Sequence, residues 1–168
     1  MNTAMEVNTA LAMVFPGQGS QAVGMLSDLA ESSPQVVESF EQASDLLGYD
    51  LWQLVQQGPA EELNQTARTQ PAMLTAGVAV WHAWQARGGA RPAVMAGHSL
   101  GEYTALVCAG ALQFGDAIVL VAERGRCMQS AVPEGVGAMA AILGLDDAAV
   151  AGVCEAAAEG EVVAPVNY

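Results

Sequence analysis

Residues 92–103 read PAVMAGHSLGEY, and the class of fold turns on this stretch. Pro92 to Ala96 is a short apolar run that predicts a buried strand, and it leads straight into Gly97-His98-Ser99-Leu100-Gly101. An apolar helix is predicted from Glu102 to Ala111. A Gly-x-Ser-x-Gly turn between strand and helix has the form of a nucleophile elbow. The serine sits on a sharp bend, the flanking glycines remove side chains that would clash, and the helix N-terminus behind favours developing negative charge. Ser99 is therefore the candidate nucleophile, with Gly97, His98 and Gly101 as the supporting turn and the Leu100 N–H as the expected oxyanion donor. The same pattern arises by chance in glycine-rich chains, so its weight comes from the strand before it and the helix after it.

The rest of the chain extends this alternation. Leu11 to Phe15 predicts a first strand that stops at Pro16-Gly17 and feeds the loop Gly17-Gln18-Gly19-Ser20-Gln21. Such a loop lets backbone approach a ligand, though taken alone it reads as an ordinary turn. Pro34 opens a helix that ends at Gly48, with Val36, Val37, Phe40, Ala43, Leu46 and Leu47 at helical spacing. A short helix is predicted over Leu51 to Val55 and another after Pro59. Thr69-Gln70-Pro71 starts a long apolar helix through Trp81 and Trp84 that ends at Gly88-Gly89. A further helix is predicted from Asp116 to Gln129, with Asp116 as its N-cap. Beyond Gly137, Ala138 to Leu143 predicts a strand, Asp146 to Ala158 a helix with an acidic first turn, and Val162 to Val166 another strand. Strand–helix alternation makes the class α/β, with a boundary near Pro133-Glu134-Gly135.

Composition narrows the function. The chain has 168 residues, about one domain, with 52% hydrophobic and 14% charged residues, which excludes a disordered polymer. Five basic residues, all arginine, stand against eighteen acidic ones for a net charge of −13. That balance argues against nucleic acid and against an anionic membrane surface. No apolar run is long enough to span a bilayer, and the opening segment lacks the basic start of a signal peptide. Cys108, Cys127 and Cys154 show no metal or redox spacing, so no metal site is expected and a cytoplasmic location is. Arg124 lies on a helix of mostly apolar or small residues. It can clamp a carboxylate bidentately, or simply pair with Glu123, Glu102 or another acidic neighbour.

Phe15 to Gln21 (FPGQGSQ), Gly97 to Tyr103 (GHSLGEY) and the helix carrying Arg124 together resemble the malonyl-CoA:acyl-carrier-protein transacylase family of bacterial type II fatty-acid synthesis. Two further stretches look like the same family, YDLWQLVQQGPAEELNQTARTQPAMLTAGVAVW and VPEGVGAMAAILGLDD, so the resemblance runs from Ala12 to Tyr168. It implies a hydrolase-like α/β core over residues 11–133, with a parallel sheet, and the first half of an inserted ferredoxin-like subdomain over 134–168. It also implies roles: Ser99 takes malonyl from coenzyme A as an ester, the backbone amides of Gln18 and Leu100 form the oxyanion hole, and Arg124 pairs with the malonyl carboxylate. The acyl group then passes to the phosphopantetheine thiol of acyl carrier protein, with coenzyme A as part of the substrate and no separate cofactor. The full-length enzyme is expected to be a monomer.

The family's general base is a histidine roughly a hundred residues beyond the serine, past Tyr168. Of the two histidines in this sequence, His98 is expected to diverge from Ser99 and His82 to be a helix-face residue. The expectation is therefore an N-terminal part of a longer enzyme, with apolar faces left open and poor solubility alone. Alternative readings are an acyltransferase module of a polyketide synthase or malonate decarboxylase system, and a non-catalytic fragment lacking the base. A plain carboxylesterase is disfavoured, because a cation at the acyl end suits a charged acyl group.

Overall fold

The computed structural model describes residues 7–133 and 136–167. The chain divides into two compact units, Met1–Pro133 and Glu134–Tyr168. In the first, strand β1 (Val7–Phe15) is followed by helices α1 (Ser27–Ser32), α2 (Gln35–Leu47), α3 (Leu51–Gln57), α4 (Ala60–Leu63) and α5 (Thr66–Ala86). Then come strand β2 (Arg91–Gly97) and helices α6 (Leu100–Cys108) and α7 (Phe114–Ser130). The strands pair in parallel, with Ala12 opposite Val94, Val14 opposite Ala96 and Phe15 opposite Gly97. Both strands therefore deliver their following loops to the same carboxyl end, where open α/β sheets bind ligands.

Helix α5 organises this unit because it is apolar on almost every side. It is buried from Thr69 to Ala79 except at the half-buried Gly77, as expected for a helix without a polar face. Around it pack Val36, Phe40 and Ala43 of α2, Leu100 and Ala105 of α6, and Ala117, Ile118 and Val121 of α7, while Leu51 and Val55 of α3 join the same core against α2. Each fully buried Leu or Phe contributes about 1.5–3 kcal/mol relative to exposure.

Several boundaries differ from the sequence expectation. Helix α5 begins at Thr66 rather than Thr69, placing Pro71 inside the helix. The extra turn is held by Thr69 N donating to Gln65 O at 2.8 Å and by Thr66 N donating to the Gln129 side chain of α7 at 3.1 Å. Asp116 is not the N-cap of α7: that position is Gln113, with extended backbone, and Asp116 lies in the first turn, where its charge still complements the helix dipole. Helix α6 spans Leu100–Cys108 instead of starting at Glu102, because it begins directly behind the Ser99 turn.

In the second unit the helix stands where its pattern put it, as α8 (Asp147–Ala157), and Asp146 caps it by accepting from Ala149 N at 2.8 Å. The strands predicted over Ala138–Leu143 and Val162–Val166 are absent among the described residues. A strand is a pairing, and neither run has a ladder partner here. Leu143 is 91% and Val162 97% exposed, so β-propensity alone has not ordered them into a sheet.

Candidate active site

β2 ends at Gly97 and α6 starts at Leu100, so His98 and Ser99 make the whole turn. Ser99 adopts φ 55°, ψ −111°, a left-handed φ that costs a non-glycine residue about 1–3 kcal/mol and persists only where its surroundings enforce it. The enforcement is visible in the two glycines. A Cβ at Gly97 would sit 2.0 Å from the Gly101 carbonyl carbon, and one at Gly101 would sit 2.2 Å from the Phe15 carbonyl oxygen. The Gly-x-Ser-x-Gly spacing is thus a packing requirement: the elbow folds onto itself and onto the end of β1. Gly101 N donates to His98 O at 2.9 Å and closes the turn. The N–H of Leu100, first in α6, is among the helix-terminal amides with no intrahelical acceptor.

The loop after β1 lies beside this elbow, since a Cβ on Gly17 would come within 3.1 Å of the His98 carbonyl. Its side chains are tied to the helices. Gln18 Nε2 donates to Thr66 Oγ1 at 3.2 Å, and Gln21 Nε2 donates to Asn64 Oδ1 at 2.8 Å while its Oε1 accepts from Gly19 N at 2.8 Å.

Arg124 reaches the elbow from α7. Its Nη2 donates to Ser99 Oγ at 2.9 Å, its Nη1 donates to Gln70 Oε1, and its guanidinium carbon stands 5.6 Å from the Tyr103 ring centre. Of the ion pairs that the sequence left open for Arg124, the one with Glu123 is taken elsewhere: Glu123 is bound by Arg126, whose guanidinium holds that carboxyl below its ordinary value. The helix can bring Arg124 this close because Gly125 lies against α5, where a Cβ would meet Thr66 O at 2.8 Å and Ala67 Cα at 2.9 Å. A guanidinium at hydrogen-bond distance from a serine oxygen stabilises negative charge there, and can hold an anionic group attached to that oxygen.

The structure thus brings Gln18, Gly97, His98, Ser99, Leu100, Gly101 and Arg124 to one end of the sheet. His82 is elsewhere, on α5, with Nδ1 3.2 Å from Ser39 Oγ of α2, and burial holds its pKa below the ordinary value. Cys108, the last residue of α6, is buried, which pushes its thiol up to about 12. Among the described residues no group of three or more His, Cys, Asp or Glu gathers to hold a metal. A cavity of about 520 Å³ bounded by Val37, Glu41, Asp45, Tyr49 and Trp52 shares no residue with the Ser99 cluster. Three acidic residues on its wall, Glu41, Asp45 and Asp50, make it a poor seat for a carboxylate substrate.

Sequence reasoning missed Gln70, Thr66, Tyr103 and Gly125. Gln70 carried one usable signal, an amide inside an otherwise apolar helix, because a polar group in such a place must find a partner.

The fold and the site together define an α/β protein with a serine elbow, and with an arginine hydrogen-bonded to the elbow serine. The chain belongs to the acyl transferase domain family, which it matches over residues 12–165. It is 67% identical over 160 residues to the malonyl CoA-acyl carrier protein transacylase of Escherichia coli, covering 95% of this chain and 52% of that protein. The enzyme of that name from Haemophilus influenzae is 65% identical over 158 residues, covering 94% of this chain and 51% of its own. The crystal structure of malonyl-CoA:acyl carrier protein transacylase from Xanthomonas oryzae superposes with a TM-score of 0.93 at 58% identity, covering 96% of this chain and 52% of that one. A type II PKS acyl-carrier protein in complex with its malonyl-transacylase is matched at a TM-score of 0.90 and 60% identity, covering 97% of this chain and 52% of that one. The chain therefore spans about half the length of the relatives it matches.

Proposed function

We propose that the protein transfers a malonyl group from malonyl-CoA to the phosphopantetheine thiol of an acyl carrier protein, through a malonyl ester on Ser99, in fatty-acid biosynthesis. The observation that carries this reading is the 2.9 Å hydrogen bond from Arg124 to Ser99 Oγ, a fixed cation beside the atom that receives the acyl group. A short diacid esterified at Ser99 would bring its free carboxylate to that guanidinium. A neutral acyl group would leave the cation without its partner, which favours the charged acyl group by about 1.5–3 kcal/mol for each charged hydrogen bond lost.

In this mechanism Ser99 Oγ attacks the thioester carbonyl, and the C–O bond forms as the serine proton leaves to a base. The backbone N–H groups of Gln18 and Leu100 receive the charge on the carbonyl oxygen. Collapse breaks the C–S bond, and coenzyme A departs with the proton. The carrier's thiol then attacks the ester carbonyl and Ser99 regains its proton, the ping-pong course of covalent catalysis. No described residue is assigned as the base. His82 is engaged with Ser39, and His98 is next to Ser99 on a turn where adjacent side chains diverge. The carrier partner is supported by the relative solved with its acyl-carrier protein. A cytoplasmic setting is supported by the free cysteines Cys108, Cys127 and Cys154.

Mass spectrometry of the protein after brief exposure to malonyl-CoA tests the reading. One malonyl adduct is expected on Ser99, discharged by a phosphopantetheinylated carrier and absent in Ser99→Ala. Acetylation from acetyl-CoA in preference to malonylation would overturn it.

A further inference from the structure

Resting on the reading just given, we infer that Gln70 is a positioning residue that couples the acyl-carboxylate clamp, Arg124, to the oxyanion loop, through the side chain of Gln18. Gln70 is 1% exposed, set in the apolar interior of α5. A buried carboxamide without partners is costly, and this one is bonded at both ends. Its Oε1 accepts from Arg124 Nη1, and its Nε2 donates to Gln18 Oε1 at 3.1 Å. Gln18 in turn donates from Nε2 to Thr66 Oγ1 at 3.2 Å. A continuous path runs from Ser99 Oγ through Arg124, Gln70 and Gln18 to the first turn of α5.

The path has one direction. A guanidinium only donates, so Gln70 must turn its oxygen toward Arg124 and its NH₂ toward Gln18. Gln18 must then present its oxygen to Gln70 and its NH₂ to Thr66. Amide orientation is ordinarily ambiguous, but here one cation decides it for both glutamines. The group that recognises the acyl carboxylate thereby sets the orientation of the loop whose Gln18 N–H is assigned to the carbonyl oxygen. A residue that merely held Arg124 would matter only for charged acyl groups. Gln70, as the joint between the two, matters for uncharged ones as well.

The test compares two probes on wild-type protein and on Gln70→Leu, Gln70→Glu and Gln18→Leu. Malonyl-CoA acylation, read by mass, needs Arg124 and the oxyanion loop. Phosphonylation of Ser99 by an uncharged fluorophosphonate needs the oxyanion loop but no carboxylate clamp. Gln70→Leu is expected to slow both reactions about tenfold, the malonyl reaction through a higher KM together with a lower maximal rate and the fluorophosphonate through a lower maximal rate. Gln18→Leu, which keeps the backbone N–H, slows phosphonylation, and combining it with Gln70→Leu slows it no further, because both cut one path. If Gln70→Leu loses its cooperative melt, Gln70→Glu carries the test. It keeps the Arg124 pairing but turns a carboxylate oxygen on Gln18 Oε1, and phosphonylation is again expected to slow. Unchanged phosphonylation in Gln70→Glu, or additive effects in the double variant, overturns the coupling. Wild-type protein that is phosphonylated but not malonylated overturns the malonyl reading alone, and the fluorophosphonate arm still decides on Gln70.

Discussion

Arg124 and Ser99 set opposite demands on the same few ångströms. The serine needs a bent, crowded backbone, and in the proposed reaction the arginine needs room to swing onto a substrate carboxylate. Glycines meet the first demand, and their replacement is costly. Gly101→Ala forces a Cβ into the Phe15 carbonyl 2.2 Å away, so a loss of about 1–3 kcal/mol is expected, read as a lower midpoint in urea unfolding at unchanged m. A midpoint equal to the wild type's would mean that the elbow relaxes freely. The second demand is tested at Arg124 itself. Arg124→Ala removes a bidentate partner worth about 3 kcal/mol, so kcat/KM for malonyl-CoA should fall about a hundredfold, and acetyl-CoA should fall less, by the part that passes through Gln70 to the oxyanion loop. Arg124→Lys keeps the charge without the fork and should fall between. Undiminished malonyl preference in Arg124→Ala would remove the arginine from the acyl pocket. At this scale, Ser99, its glycines and Gln18 were legible because their motif is local and each residue type has a steric or polar reason to be there. Arg124 was legible only as a choice between a clamp and a surface ion pair. Its partner Gln70 lies 54 positions away in sequence, a separation that no local pattern spans.

Helix α5 shows the same limit one level up. Its apolar run made it legible as the central helix, yet its first turn depends on Gln129, 63 positions away, and so could not be read locally. Helix α8 and its Asp146 cap were legible because both signals lie within one turn. The strands predicted after Gly137 failed for the converse reason, since extended runs need a partner that their own residues do not specify. The α5–α2 contact also carries a pH dependence. His82 sits half-buried beside Ser39, and desolvation holds its folded pKa below the unfolded value of 6.5. A lowered histidine stays neutral in the folded chain while the unfolded chain takes up a proton. Stability is therefore full above the unfolded pKa and is lost as pH falls from 6.5 toward the folded value. Thermal melts taken between about pH 7.5 and 5.5 should show Tm falling in the wild type and a shallower fall in His82→Asn. Parallel pH curves for the two proteins would remove His82 as the cause.

Across the first unit, the sheet has two unlike faces. Registered neighbours in a parallel pair share a face, so Ala12, Val14, Val94 and Ala96 lie together, and all four are exposed. On the other face Phe15 is buried, and Met13 and Met95 pack against the core. Parallel sheets are ordinarily covered on both sides, and a valine face with Val14 73% and Val94 58% exposed lacks the polar alternation of a sheet built to meet water. The 168-residue chain by itself should therefore associate through this face. Light scattering on a sizing column should show high-mass species that grow with protein concentration. Val14→Thr with Val94→Thr keeps the β-branched shape that suits a strand while adding a hydroxyl, and should shift the profile toward the monomer. If the wild-type chain instead runs as a monomer at all concentrations and melts in one cooperative transition, the open face is tolerated by water. Association unaffected by the double variant would place the sticky surface elsewhere, with the exposed runs around Leu143 and Val162 of the second unit as the next to change.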